Sequence, residues 1–182
     1  MLLPVVSLAA SRRKLRRFGR SKHGSAAVEF AMIAPLFFAM IFAIIETGMV
    51  FFAGQVLETA VQDTGRLFYT RATISQTDYE TAICDRVKVL MDCTKLKNDV
   101  QTYAAGTAFT ISDPIDASGK FVDSAVSYNA PSSADTTSTV VVRSFYPWPL
   151  FVTGLGYNIA NINRGGTGSS RLLVSTAAFR PQ

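Results

Sequence analysis

Chemistry in this chain is concentrated at a few positions: Gly24 and Ser25 beside a basic run, Glu29 four residues on, Glu46 closing an apolar stretch, and the cysteines Cys84 and Cys93. Arg12, Arg13, Lys14, Arg16, Arg17, Arg20 and Lys22 all precede the first acid. Lysine and arginine next to a span hold their end of the chain on the cytoplasmic side. Gly24 is small enough to let a peptidase reach the backbone between it and Ser25. From Phe30 to Ile45, 16 residues carry no charge, and Glu29 stands at the start of that run. An unpaired carboxylate there is expensive in lipid. Cleavage after Gly24 would give Ser25 an amino group, protonated near neutral pH, one helical turn from Glu29. Pairing the two charges offsets part of the cost of taking either out of water. The pair forms either within one chain or between Glu29 of one subunit and Ser25 of the next.

The element that must carry these groups is a long helix. Residues 26–46 rise about 30 Å, the thickness of the hydrocarbon core. The apolar run continues past Glu46 into residues 47–53 without a small-x-small cleavage site, so it is expected to stay attached as an anchor. Glu46 then falls near the outer interface, either as an end marker reaching water or as a pairing group. Pro35 weakens the helix about two turns in, as a hinge or as a tolerated proline. Beyond the span Val50, Ala53, Leu57, Ala60, Thr64 and Leu67 recur at three- and four-residue intervals. This predicts one helix of about 45 residues that begins in lipid and ends packed on a globular head. The alternative is a break near Gly48 or Gly54.

Gly24 followed by Ser25, Ala26, Ala27, Val28, Glu29 and Phe30 resembles the processing site of type IV prepilins. The resemblance implies a cut after Gly24, with Glu29 as the fifth residue of the mature chain and Glu29 and Phe30 acting in recognition and assembly. With Pro35, the run Ala43-Ile44-Ile45-Glu46-Thr47-Gly48, and Phe51 and Phe52, the stretch is similar more narrowly to the TadE-like family. That family comprises minor pseudopilins of the bacterial tight-adherence (Tad) pilus. Residues 140–149 and 172–179 resemble its closing strands. The ending Arg180-Pro181-Gln182 departs from the family's arginine-asparagine-glutamate-proline, so no role carries over to the extreme C-terminus.

After a break at residues 73–76, Thr77 and Glu80 have the spacing of a capping box at the start of a second helix, with Ile83, Val87 and Leu90 on one face. Residues 108–111, 121–128, 139–146 and 171–179 read as strands between turn formers. Helices first and strands afterwards predict an α+β fold with an antiparallel sheet, the lollipop of a pilin. The expected domains are a removable basic leader at 1–24, a transmembrane helix at 25–53 and an extracytoplasmic globular domain at 54–182. In that compartment disulfides persist. On an unbroken helix Cys84 and Cys93 would stand about 13 Å apart along the axis, too far to bond. Either the helix ends near residues 90–92 and the chain turns back to pair them, or they stay free.

Catalytic chemistry finds little support. The only histidine, His23, precedes the proposed cut, which leaves no imidazole for a Ser-His or Cys-His system or a metal. Residues 164–170 are rich in glycine and serine but lack the Walker spacing and its lysine. Phe145, Tyr146, Trp148 and the two prolines beside them read as core and turn, or as a partner contact. Seven of the 18 lysines and arginines lie in the leader, and the remaining eleven meet 13 acids, so the positive charge orients the chain and nucleic acid is not the primary ligand. The expectation is a non-enzymatic, cofactor-free and metal-free minor pseudopilin of the bacterial inner membrane, cytoplasmic at its N-terminus and periplasmic at its C-terminus. Its partners would be a prepilin peptidase, other pilins or pseudopilins, the inner-membrane assembly platform and the lipid bilayer. The competing reading is a membrane-anchored pilus or secretion assembly factor that never enters the filament.

Overall fold

The computed structural model describes residues 24–70, 74–108, 110–123, 126–131, 137–166 and 168–180. The basic leader, His23 and the terminal Pro181 and Gln182 lie outside the described residues. The chain divides into two compact units, Met1–Phe42 and Ala43–Gln182.

Helix α1, Ser25–Gly65, begins in the first unit and runs 41 residues. Within the first unit Val28, Phe30, Met32, Ile33, Leu36, Phe37, Phe38, Met40 and Phe42 are all exposed, so no side of the helix is polar. A helix apolar all round belongs in a core or a bilayer. It is long and apolar enough to cross a membrane and is compatible with a single-pass anchor. Pro35 lies inside it, and the helix continues on both sides.

In the second unit α1 changes character. Val50, Ala53, Leu57, Ala60, Val61 and Thr64 form a buried stripe at helical spacing. A short helix α2, Leu67–Thr70, follows, and then α3, Gln76–Val87. The cap of α3 is Ser75 rather than the expected Thr77: the Ser75 hydroxyl accepts the Asp78 N–H at 3.1 Å, two residues ahead of the capping-box reading. Three strands, β1 (Lys97–Tyr103), β2 (Thr139–Pro149) and β3 (Ser170–Phe179), make an antiparallel sheet in the order β1-β2-β3. The fold is α+β, with a long apolar helix, a second helix and this sheet.

Alternation along β2 sends Val140, Val142, Tyr146 and Trp148 to one face and Val141, Arg143 and Phe145 to the other. The first set packs with Val100, Leu173, the α1 stripe, and Tyr79, Ile83 and Val87 of α3 in the main core. The second face builds a smaller core in which Phe145, Ile162 and Leu172 meet Ile115, Phe121 and Val126. A strand buried on both faces explains why residues 140–146 read as an unbroken apolar run apart from Arg143 and Ser144.

Three strand expectations need correction. Residues 97–103, Lys-Asn-Asp-Val-Gln-Thr-Tyr, lie outside the expected strands, yet they form β1, in register with β2 from Lys97 opposite Phe145 to Tyr103 opposite Thr139. Cross-strand partners decided the outcome there, over propensity. The expected strand at 108–111 is absent among the described residues of that segment, and among the described residues of 121–128 Phe121 and Tyr128 form isolated bridges, to Ile115 and Val100. Finally, β2 runs on through Pro147 and Pro149, because β1 pairs only as far as Phe145. Past that point β2 has a partner on one side only, and a proline without an N–H is tolerated on the open side.

At the far end of α1, any residue larger than Gly65 would require the Phe179 ring to move. A Cβ there would lie 2.0 Å from Cε2 of Phe179, the last residue of β3.

Candidate functional site

The functional groups of this chain are carboxylates and a disulfide, placed by three different devices. Glu29 sits in the first turns of α1, where the Ser25 hydroxyl donates to its Oε1 at 2.7 Å. Both residues are exposed, as is Phe30, and the space around Gly24 is open. Helical geometry alone brings Ser25 and Glu29 together, since residues four apart share a face. This arrangement leaves the carboxylate one local hydroxyl partner and room for another group.

Glu46 departs from the expectation of an end marker reaching water. It is 7% exposed, and its Oε1 accepts the N–H groups of Phe151 and, at 3.0 Å, Val152. These amides open the 3-10 turn Val152–Leu155, whose own cap residue, Phe151, supplies no side-chain bond. A carboxylate at a helical N-terminus satisfies orphan donors and meets the positive end of the peptide dipoles. Next to it the Thr47 hydroxyl bonds the Ala43 carbonyl at 2.8 Å and lies 3.0 Å from the Tyr157 hydroxyl. The partners are over a hundred residues away, which is why helical pattern alone gave no hint of them.

Cys84 and Cys93 are bonded to each other, with Cα atoms 5.6 Å apart. Helix α3 stops at Val87, and the chain reverses through residues 88–92 into a 3-10 turn, Cys93–Lys95. Asp92 makes that reversal. Its carboxylate accepts the Thr94 hydroxyl and N–H at 2.8 and 3.0 Å, bonds that hold its pKa below the ordinary value, and its own N–H donates to the Tyr146 hydroxyl at 3.1 Å.

Sequence reasoning missed the most deeply buried ionic group. Asp99 on β1 stands opposite Arg143 on β2, and its Oδ2 accepts Nε at 2.8 Å and Nη2 at 2.7 Å. Asp99 is 0% exposed. Its Oδ1 accepts the Gln101 side-chain amide at 2.8 Å and the Ser127 N–H at 3.0 Å. The Arg143 Nη1 donates to the Ser112 carbonyl at 3.0 Å, and the guanidinium lies 5.4 Å from the centre of the Phe145 ring. Two guanidinium donors converge on Oδ2 while Oδ1 takes two further donors, and a carboxylate so fully bonded is the form in which a buried ion pair is tolerated. Its one sequence signal is Arg143 interrupting an apolar strand.

Phe145, Tyr146 and Trp148 are buried and belong to the two cores. On either side of residue 167, which lies outside the described residues, the Ser169 hydroxyl donates to the Asn163 and Gly166 carbonyls. Among the described residues no three His, Cys, Asp or Glu side chains are grouped to hold a metal ion. Tyr79 is raised above the ordinary tyrosine value by burial. Tyr128 is pushed up to about 12, by burial first and then by the charges of Asp78 and Glu80.

Comparison with known proteins adds one match. The family model for TadE-like protein matches residues 24–66, about a quarter of the chain, and covers Gly24, Ser25, Glu29, Phe30, Pro35 and Glu46. The resemblance drawn from those residues is therefore shown for this segment, and it associates the chain with components of the Tad pilus, a structural family. No curated protein and no solved structure matches the chain.

Proposed function

We propose that this Tad-pilus-associated chain is a minor pseudopilin. A prepilin peptidase removes residues 1–24, residues 25–53 span the inner membrane, and residues 54–182 form a head outside the cytoplasm. The protein performs no catalysis. It works by transfer of an apolar helix from lipid into a helical bundle of pilins, with the assembly platform as its inner-membrane partner. The observation that carries this reading is the contrast in carboxylate use along α1. Glu46 is occupied by two backbone amides of its own chain, whereas Glu29 is exposed and holds only the Ser25 hydroxyl. A charge kept at the start of a membrane helix without a tertiary partner is suited to an intermolecular one. The new amino group of Ser25 on a neighbouring subunit is that partner, and the pair sets the axial register.

The test is the Glu29→Gln variant in cells that make the pilus. Intact mass reports cleavage, membrane fractionation reports level, and sheared pili report incorporation. A variant that is cleaved and stable but absent from pili is expected. Wild-type protein retaining residues 1–24, or a cleaved variant that assembles at the wild-type level, would overturn the reading. Wild-type protein that never enters sheared pili would instead mark an assembly factor outside the filament.

A further inference from the structure

The surface beside Glu46 is unusual for the head of a water-facing domain. From Ser144 to Asn163 the chain runs 20 residues without a Lys, Arg, Asp or Glu. Within this stretch the 3-10 turn Val152–Leu155 presents Phe151 with 83% of its surface exposed and Tyr157 with 40%. On α1 the flanking Ile44, Ile45, Met49, Phe51 and Phe52 are exposed too. Apolar surface therefore continues about 9 Å along the helix axis beyond Glu46.

At such a level polar groups must find partners inside the protein. Here Oε1 of the Glu46 carboxylate takes the amides of Phe151 and Val152, while Oε2 is buried without a partner among the described residues. The Thr47 hydroxyl hydrogen is directed to the Ala43 carbonyl, which leaves the Tyr157 hydroxyl to donate to Thr47 Oγ1. These same bonds tie Phe151 and Tyr157 to α1 at the height of Glu46.

We propose that residues 150–157 form a lipid anchor of the head, with Phe151 entering the boundary between headgroups and acyl chains and Tyr157 lying at the same depth. The proposal rests on the reading of α1 as a membrane span. Lipid is the occupant because the exposed loop is bonded to the helix segment, residues 44–52, whose own exposed side chains adjoin the bilayer in that reading, so the two surfaces are continuous. An uncharged loop with aromatic side chains loses no ionic hydration at the interface, and such side chains concentrate there. Anchoring by the loop fixes the rotation of the head about α1 while the subunit waits in the membrane, and withdrawal of Phe151 accompanies its exit.

The full chain, reconstituted in vesicles of phosphatidylethanolamine and phosphatidylglycerol, tests the anchor through single labelled cysteines, since Cys84 and Cys93 are held in their disulfide. An environment-sensitive fluorophore is placed by Phe151→Cys, by Ile33→Cys within the span, and by Gln62→Cys, about 24 Å further along α1 than Glu46. Nitroxide-bearing lipids are expected to quench the Phe151→Cys label several-fold more than the Gln62→Cys label, with iodide in the buffer giving the reverse order. A label at 151 that behaves like the one at 62, while the label at 33 is quenched by lipid, would overturn the anchor and leave the span standing. Failure of lipid to quench at 33 would remove the span and the anchor together. Shielding of 151 from iodide without lipid quenching, lost as the protein is diluted in the vesicles, would assign the surface to a second copy and refute lipid as occupant.

Discussion

Glu29 and Glu46 are the same residue on the same helix, and the chain treats them differently. Glu29 lies in the unit where the large apolar side chains of the described part of α1 are exposed, and it keeps an exposed carboxylate with one hydroxyl partner a turn away. Glu46 lies where α1 meets the head, and it is buried with its Oε1 accepting two amides of a distant turn. Burial of a carboxylate is costly unless bonds to it are made. Glu46 has such bonds on Oε1, while its buried Oε2 has no partner among the described residues, and Glu29 stays exposed. Asp99 extends the series, being fully buried and fully bonded.

The contrast predicts a ranking in head stability, read from the emission of the single tryptophan, Trp148, during denaturant unfolding in detergent micelles. Asp99→Ala should cost most, about 3–5 kcal/mol, because it strands the Arg143 guanidinium in the core. The double variant Asp99→Leu with Arg143→Met should recover much of that loss, and failure to do so would give the pair more than a packing role. Glu46→Ala should cost about 2–3 kcal/mol, since two amides lose their acceptor. A loss below about 0.5 kcal/mol, ordinary for a surface change, would erase the distinction between Glu46 and Glu29. Replacing both cysteines by serine should cost about 2–3 kcal/mol in the chain-entropy picture of a short loop, and thiol labelling of envelope protein under denaturing, non-reducing conditions should find neither cysteine reactive.

A smaller effect follows from the tyrosines in the head. Tyr128 is raised from 10.0 to about 12 in the fold, so its neutral form is favoured there. The associated stability is complete below about pH 10 and is lost as the pH rises towards 12. Tyr79 shifts in the same direction. The denaturant midpoint should thus fall as the pH rises from about 10 to about 12, and Tyr128→Phe should flatten that fall. Smallest of all is Glu29→Gln, which should leave head stability within about 0.5 kcal/mol of wild type while pilus incorporation is lost. A large change in unfolding would place Glu29 with Glu46.

Local rules reached some parts of this molecule and not others. The long helix, its buried stripe from Val50 to Thr64, the strands around Val142 and Leu173, and the nearness of Ser25 to Glu29 follow from periodicity and spacing within one element. Each depends on neighbours no more than a few residues away. The polar strand Lys97–Tyr103 was illegible because its stability comes from pairing with β2. The helix start at Ser75 instead of Thr77 was a choice between two hydroxyl residues two positions apart that local chemistry ranks almost equally.

What the sequence alone determined was the order and type of most elements and the long apolar helix, because hydrophobic periodicity and residue inventory are local quantities. What only the tertiary structure decided was the use of each charge. Glu46 meets Phe151 and Val152, and Asp99 meets Arg143, across separations of 105, 106 and 44 residues. A buried carboxylate is stable only beside donors that arrive from elsewhere in the chain, and pattern along the sequence has no means of measuring that distance.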